Sequence, residues 1–89
     1  MNTLRFQLYV AGASPNSVAA IRNLEAVCAN LPTHSFQVEV IDVLTRPKAA
    51  AAASVVLTPT LDVTTPTGST LRLLGSLSDA GALRIFLAQ

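Results

Sequence analysis

Thiols and imidazoles are nearly missing from these 89 residues, which hold one cysteine, Cys28, and one histidine, His34. A single cysteine excludes an internal disulfide and any zinc site built from several cysteines. A single histidine likewise excludes a multi-histidine metal centre. Aromatic residues are only 4% of the chain and charged residues 12%, with six basic against five acidic. Without a basic stripe or stacking platforms, nucleic-acid binding is not expected. Long apolar runs are missing too: the uncharged stretches are broken by Pro, Thr and Ser, and Met1 to Val10 contains alternating polar positions rather than a signal-peptide block. The expectation is a reduced, soluble, cytoplasmic chain with no membrane contact and no cofactor. Apolar residues, by contrast, are 51% of the total, which argues against disorder. The length fits a single domain over residues 1–89, able to bury roughly 60–65% of the surface its unfolded form exposes.

Leu4, Phe6, Leu8 and Val10 alternate with Arg5, Gln7 and Tyr9, the period of a strand. Ala11-Gly12-Ala13 breaks it. Ser14 then stands at a helix N-cap position, with Pro15 at the first helical position, where its missing N–H costs nothing. Val18, Ile21, Leu24, Cys28 and Leu31 follow at helical spacing as one buried face, and Pro32 ends the helix. A second strand is read from Phe36 to Val43, with Val38 and Val40 on one face and Gln37 and Glu39 on the other. Thr45 and Pro47 repeat the cap-plus-proline signal before the alanine run 49–53, which has high helix propensity and little side chain to bury. A short, weakly anchored helix is predicted there, with a low-complexity linker as the alternative. Val55, Val56 and Leu57, then Leu61 and Val63, read as extended. Thr64-Thr65-Pro66-Thr67-Gly68-Ser69 is turn chemistry, and Leu71, Leu73 and Leu74 resume a strand, so a hairpin is predicted. Gly75 closes that strand, and Ser78 reads as the cap of a last helix carrying Leu83, Phe86 and Leu87.

The order is β-α-β-α-β-β-α. Strand, helix and strand at this length make a right-handed βαβ unit with parallel strands. A hairpin and closing helix added to it give an α/β, thioredoxin-like fold: a four-stranded mixed sheet with helices on both faces. Redox members of that fold carry Cys-x-x-Cys at the start of the first helix, where the helix N-terminus lowers the thiol pKa. Here the position reads Ser14-Pro15-Asn16-Ser17, and hydroxyls form no disulfide. Pro59 stands just before the third strand, where the fold normally carries a cis-proline. Cys28 reads as a core residue rather than a nucleophile.

Leu8-Tyr9-Val10-Ala11-Gly12, Ser14-Pro15-Asn16-Ser17-Val18, Val40-Ile41-Asp42-Val43-Leu44 and Thr58-Pro59-Thr60-Leu61 resemble, in that order, the KaiB family of circadian-clock proteins. The likeness continues through Arg72-Leu73-Leu74-Gly75 and Leu77-Ser78-Asp79. The sensory domain of the clock output kinase SasA is similar as well. The resemblance implies a non-enzymatic protein that binds a KaiC-type ATPase ring, with a KaiA-like or SasA-like partner possible. It also implies a metamorphic chain, whose C-terminal half switches between a tetrameric ground-state fold and a thioredoxin-like monomer. The ground-state fold is therefore the alternative architecture.

Departures from the family bear on that switch. Its acidic segment after the second strand is replaced by uncharged Ala50 to Ser54, with Ser54 in place of a lysine associated with partner contact. A glycine and an aspartate usual in the last segment appear as Phe86 and Ala88. Glycine weakens a helix by about 1 kcal/mol relative to alanine, and Phe86 adds an apolar anchor. Pro59, Phe86 and Ala88 are therefore candidate fold-determining residues, and the thioredoxin-like form is the expected resting state. A monomer is favoured there over a tetramer or dimer; the acidic tail of many family members is also missing before Gln89.

Gln37, Glu39, Arg46 and Lys48 are the candidate partner-binding residues. The second strand should be a sheet edge, open to β-augmentation, although Gln37 and Glu39 equally suit a guard against unwanted pairing. Arg46 and Lys48 flank Pro47 and suit either an acidic partner or solvent. Tyr9 reads as core on the second sheet face, with partner contact the alternative. Asp42 is expected to bond nearby backbone or Arg46, and His34 to lie exposed in a loop. No catalytic or metal-binding residue is expected.

Overall fold

Alternation in the first strand sends Phe6, Leu8 and Val10 to one side of the sheet and Arg5, Gln7 and Tyr9 to the other. The computed structural model describes residues 3–31 and 35–88. Its elements are β1 (Leu4–Val10), α1 (Pro15–Ala29), β2 (Phe36–Asp42), α2 (Pro47–Ala52), β3 (Thr60–Thr64), β4 (Thr70–Leu74) and α3 (Gly81–Leu87), in the predicted order. The sheet runs β2-β1-β3-β4. β2 lies parallel to β1, in register from Leu4 opposite Phe36 to Val10 opposite Asp42. β3 is antiparallel to β1, and β4 antiparallel to β3. The mixed four-stranded sheet is thus as predicted, with β2 and β4 at its edges.

The main core joins Phe6, Leu8, Val10, Leu61 and Val63 of the sheet to Ala20, Leu24, Val27 and Cys28 of α1 and Leu83 of α3. Each fully buried leucine here contributes about 1.5–3 kcal/mol of transfer free energy. Phe36 closes the β2 end of this layer, its ring 6.3 Å from Phe6 in a T-shaped arrangement. The opposite face holds a smaller buried strip. Tyr9, Ile41 and Thr60 share one transverse row of the sheet, and all are buried with Ala50 of α2 outside the main core. Helices therefore cover both faces, and Tyr9 is core on the α2 side.

Ser14 caps α1 as predicted, its Oγ accepting from the Ser17 N–H with Pro15 at the first position. The buried stripe is Ser17, Ala20, Leu24, Val27 and Cys28, turned slightly from the predicted one. Val18 and Ile21 are only half-buried, because the face turned to the sheet runs through Ser17, Ala20 and Leu24 instead. Pro32 and His34, predicted to end the helix and to sit exposed, lie outside the described residues.

Four further expectations are corrected. β2 ends at Asp42, one residue short of Val43, because the Asp42 side chain there accepts from the Leu44 N–H at 2.9 Å and turns the chain. Thr45 does not cap α2: Arg46 holds that position with no side-chain bond, while the Thr45 hydroxyl donates back to the Asp42 carbonyl at 3.2 Å. Val55 to Leu57 do not join the sheet, which resumes only at Thr60 after a cis Thr58–Pro59 bond. Ser78 does not cap α3, which starts at Gly81. Asp79 is the acceptor there, taking the Gly81 N–H on Oδ1 at 3.0 Å. The hairpin forms as predicted, and so does the short alanine helix. Among the described residues no helix is long and apolar enough to cross a membrane.

Candidate functional site

The start of α1 faces the end of the sheet where thioredoxins carry their thiols. Here the Ser14 hydroxyl donates to Ser17 Oγ at 2.8 Å, and the Ala11 N–H donates to the same oxygen at 3.1 Å. Ser17 is fully buried, so both hydroxyls are spent on holding the β1–α1 turn. Gly12, at φ +55°, donates its N–H to Asp42 Oδ1 at 3.1 Å. One carboxylate therefore ties the ends of β1 and β2 together. The Asp42 carboxylate bonds backbone as one predicted alternative had it. The Arg46 guanidinium goes to Glu39, and Arg46 meets Asp42 only through its backbone N–H, which donates to the Asp42 carbonyl at 2.8 Å. Cys28 is buried, and burial pushes its thiol up from the ordinary range, the opposite of an activated nucleophile. Among the described residues, no three His, Cys, Asp or Glu side chains gather as metal ligands.

Among the described residues, two groups of exposed apolar side chains stand out. The first runs along β2. Val38 and Val40 point to the α1 side but stay 44% and 45% exposed, with an open groove between them and α1. That groove holds about 520 Å³ and is lined by Leu8, Leu24, Cys28, Phe36, Val38 and Val40, with Glu25 at its margin. It lies beside the outer edge of β2, whose backbone has β1 on its other side only. The second surface is at the sheet end near Pro59. Val56 is 89% exposed, and Leu44, Leu57 and Leu74 are also exposed. Leu74 pairs across the ladder with Thr60, and the Gly75 N–H donates to the Pro59 carbonyl at 2.9 Å, which sets Leu74 beside the Pro59 loop.

Of the predicted partner-binding residues, Glu39 and Arg46 meet each other, with Arg46 Nη1 3.3 Å from Glu39 Oε2. Gln37 lies exposed on the same face of β2, and Lys48 exposed on α2. Pro59 is buried, Phe86 packs half-buried against the main core, and Ala88 is the exposed C-cap of α3. Leu44, Val56, Leu57 and Leu74 were not singled out from sequence as surface. Three consecutive apolar residues directly before Thr58-Pro59, without alternation, were the available signal.

The fold is shared with solved structures. The N-terminal domain of Synechococcus elongatus SasA superposes with a TM-score of 0.78 at 26% identity, covering 100% of this chain and 88% of that one. Chloroplastic thioredoxin z superposes at 0.80 with 22% identity, covering 98% and 77%. Among curated relatives, the circadian clock oscillator protein KaiB of Prochlorococcus marinus is 39% identical over 77 residues, covering 86% of this chain. This chain spans 64% of that relative's length. KaiB of Gloeothece citriformis is 37% identical over 83 residues, covering 89% of this chain and 77% of the relative. The KaiB domain family matches over residues 7–89. With the motifs of β1, α1 and the Pro59 loop all inside that match and the thioredoxin-like sheet beneath them, this chain belongs to the KaiB family of circadian clock proteins.

Proposed function

We propose that this single-domain, cytoplasmic protein is a non-enzymatic clock adaptor that binds a KaiC-type ATPase ring, with a KaiA-like or SasA-like protein as a further partner. The observation that carries the reading is the pairing of an inert thiol position with open apolar surface. Ser14 and Ser17 consume each other's hydrogen-bonding capacity, while β2 and the Pro59 end stay uncovered. On this reading Gln37, Glu39, Arg46 and Lys48 contact the partner. An extended partner segment adds to the outer edge of β2 and sets alternate apolar side chains into the groove. Pro59, Phe86 and Ala88 hold the chain in its thioredoxin-like form, as a monomer, against the family's alternative fold. A protein without catalysis acts on a ring ATPase only through different affinities for its states, so binding should favour one nucleotide state.

Size-exclusion chromatography with light scattering tests this, on the protein alone and mixed with a KaiC-type ATPase and nucleotide. Co-elution with the ring, lost on Val40→Lys, is expected. No complex in any nucleotide state would overturn the adaptor reading. It would favour a redox-inactive sensory domain acting on a signalling kinase, a reading supported by the likeness to the SasA domain.

A further inference from the structure

α2 is held to the sheet by unusually little apolar contact. It is six residues long, four of them alanine, and only Ala50 is buried. Yet it covers Tyr9 and Ile41, which are 4% and 2% exposed. An alanine methyl group removes too little area from water to hold a helix in place, so other contacts must contribute.

Two of them flank the helix. At its N-terminal end Arg46 pairs with Glu39 of β2 at 3.3 Å. At its C-terminal end one guanidinium gathers three groups. Arg72 of β4 donates through Nε to Asp62 Oδ1 at 2.6 Å and through Nη2 to Asp62 Oδ2 at 2.8 Å. The same side chain donates to the Ala53 carbonyl at 2.6 Å and the Ser54 carbonyl at 3.2 Å. Those carbonyls end α2 and begin the segment that presents Val56 and Leu57. Asp62 is the cross-strand neighbour of Arg72, so it aims the planar fork at the helix end, where positive charge is favoured. Glu39, Gln7, Asp62 and Arg72 form one transverse row of the sheet, directly beside the row of Ile41, Tyr9 and Thr60 that α2 covers.

We propose that α2 is a flap latched by Arg72, and that opening this latch lifts residues 47–57 off Tyr9 while β1, β3 and α1 remain folded. The latch is partly exposed, with 38% of the Arg72 side chain and 21% of the Asp62 side chain accessible, so salt weakens it. Opening bares a strip of Tyr9, Ile41 and Thr60 and detaches the Val56–Leu57 segment from its fixed place. The device is a property of the free chain and does not depend on the adaptor reading.

Amide hydrogen exchange resolved by residue, with acrylamide quenching of tyrosine fluorescence, tests it. Tyr9 is the sole tyrosine and there is no tryptophan, so the fluorescence reports on the covered strip alone. Arg72→Gln and Asp62→Asn should speed exchange at residues 49–57 roughly tenfold or more and raise Tyr9 quenching, while β1 and α1 keep their protection. Arg72→Lys should fall between, having a point charge in place of the fork. Arg84→Gln on α3 should change neither. In the unaltered protein 1 M salt should reproduce the effect, and in Arg72→Gln it should add a smaller increment, through the exposed Arg46–Glu39 pair alone. Exchange at 49–57 that rises only together with β1, or salt and variants that leave Tyr9 quenching unchanged, would overturn the proposal.

Discussion

Tyr9 is ionised with difficulty because its ring is enclosed. Burial pushes the phenol pKa up, and the nearby Asp62 carboxylate adds to the rise, partly offset by Arg72. A raised pKa means that the folded chain holds the proton more tightly than the unfolded chain does. Above the ordinary phenol value of about 10, the unfolded chain loses its proton first and gains in relative stability. The contribution is therefore complete below that pH and is lost as pH rises through the folded value. Urea unfolding at pH 8 and pH 11 should show a loss of stability at the higher pH, and Tyr9→Phe should reduce that loss. Cys28, whose thiol is also pushed up by burial, is present in both proteins and cancels from the comparison. Residues whose role depends on immediate neighbours were legible in the sequence. Ser14 and Pro15 marked a helix start, alternation placed Tyr9 on the second face, and Cys28 read as core. Ser78 reads as a cap by residue type, but α3 starts after Ala80 with no side-chain cap and Asp79 holds only the Gly81 N–H, a choice that the path of the chain makes.

Among the elements, α2 shows why short-range reading runs out. Its helix-forming alanines were plain, as was Pro47 at its start, but its closure was not. Val55 donates to the Ala50 carbonyl at 2.9 Å and Ser54 to that of Ala51 at 3.0 Å, the paired bonds of a Schellman ending. That ending places Ser54 at φ +56°, a left-handed conformation in which a side chain costs about 1–2 kcal/mol. Ser54→Gly should therefore raise the urea midpoint, by about 1 kcal/mol of stability, without altering the Arg72 contact, which uses only the backbone carbonyl at that position. The Arg72 contact itself joins residues 18 and 19 apart in sequence. No local pattern encodes such a pairing; it follows from the β3–β4 register. Val55 to Leu57 were misread for a related reason. Apolar composition suggests a strand, but the Val55 N–H is turned back to the Ala50 carbonyl and the Leu57 carbonyl accepts from the Thr60 hydroxyl, so the sheet resumes only at Thr60.

For the molecule as a whole, β1 is the piece on which the rest depends. It is hydrogen-bonded on both sides, and Leu8 at its centre is fully buried between the sheet and α1. Leu8→Ala should cost about 2–5 kcal/mol. Circular dichroism and Tyr9 fluorescence should then report one shared unfolding midpoint, since a core this small has no part that survives without its central strand. The family membership, the mixed four-stranded sheet and the edge position of β2 were visible in the motifs and the element order. The two exposed apolar surfaces were not, because exposure depends on how far α1 and α2 extend over the sheet.

The sheet also has two unlike open margins. β2 presents seven residues that lie parallel to their inner neighbour, and β4 presents five that lie antiparallel to theirs. If β2 of one molecule met β2 of another, the contact would be self-complementary and growth would stop at two. If β2 met β4, each addition would leave a fresh margin at either end, and growth would continue as a fibre. Glu39 on one margin and Arg72 on the other carry opposite charges and would attract across that second junction. Each is already neutralised within its own molecule, by Arg46 and by Asp62. The same pairs that fasten α2 thereby keep the two margins from recognising each other.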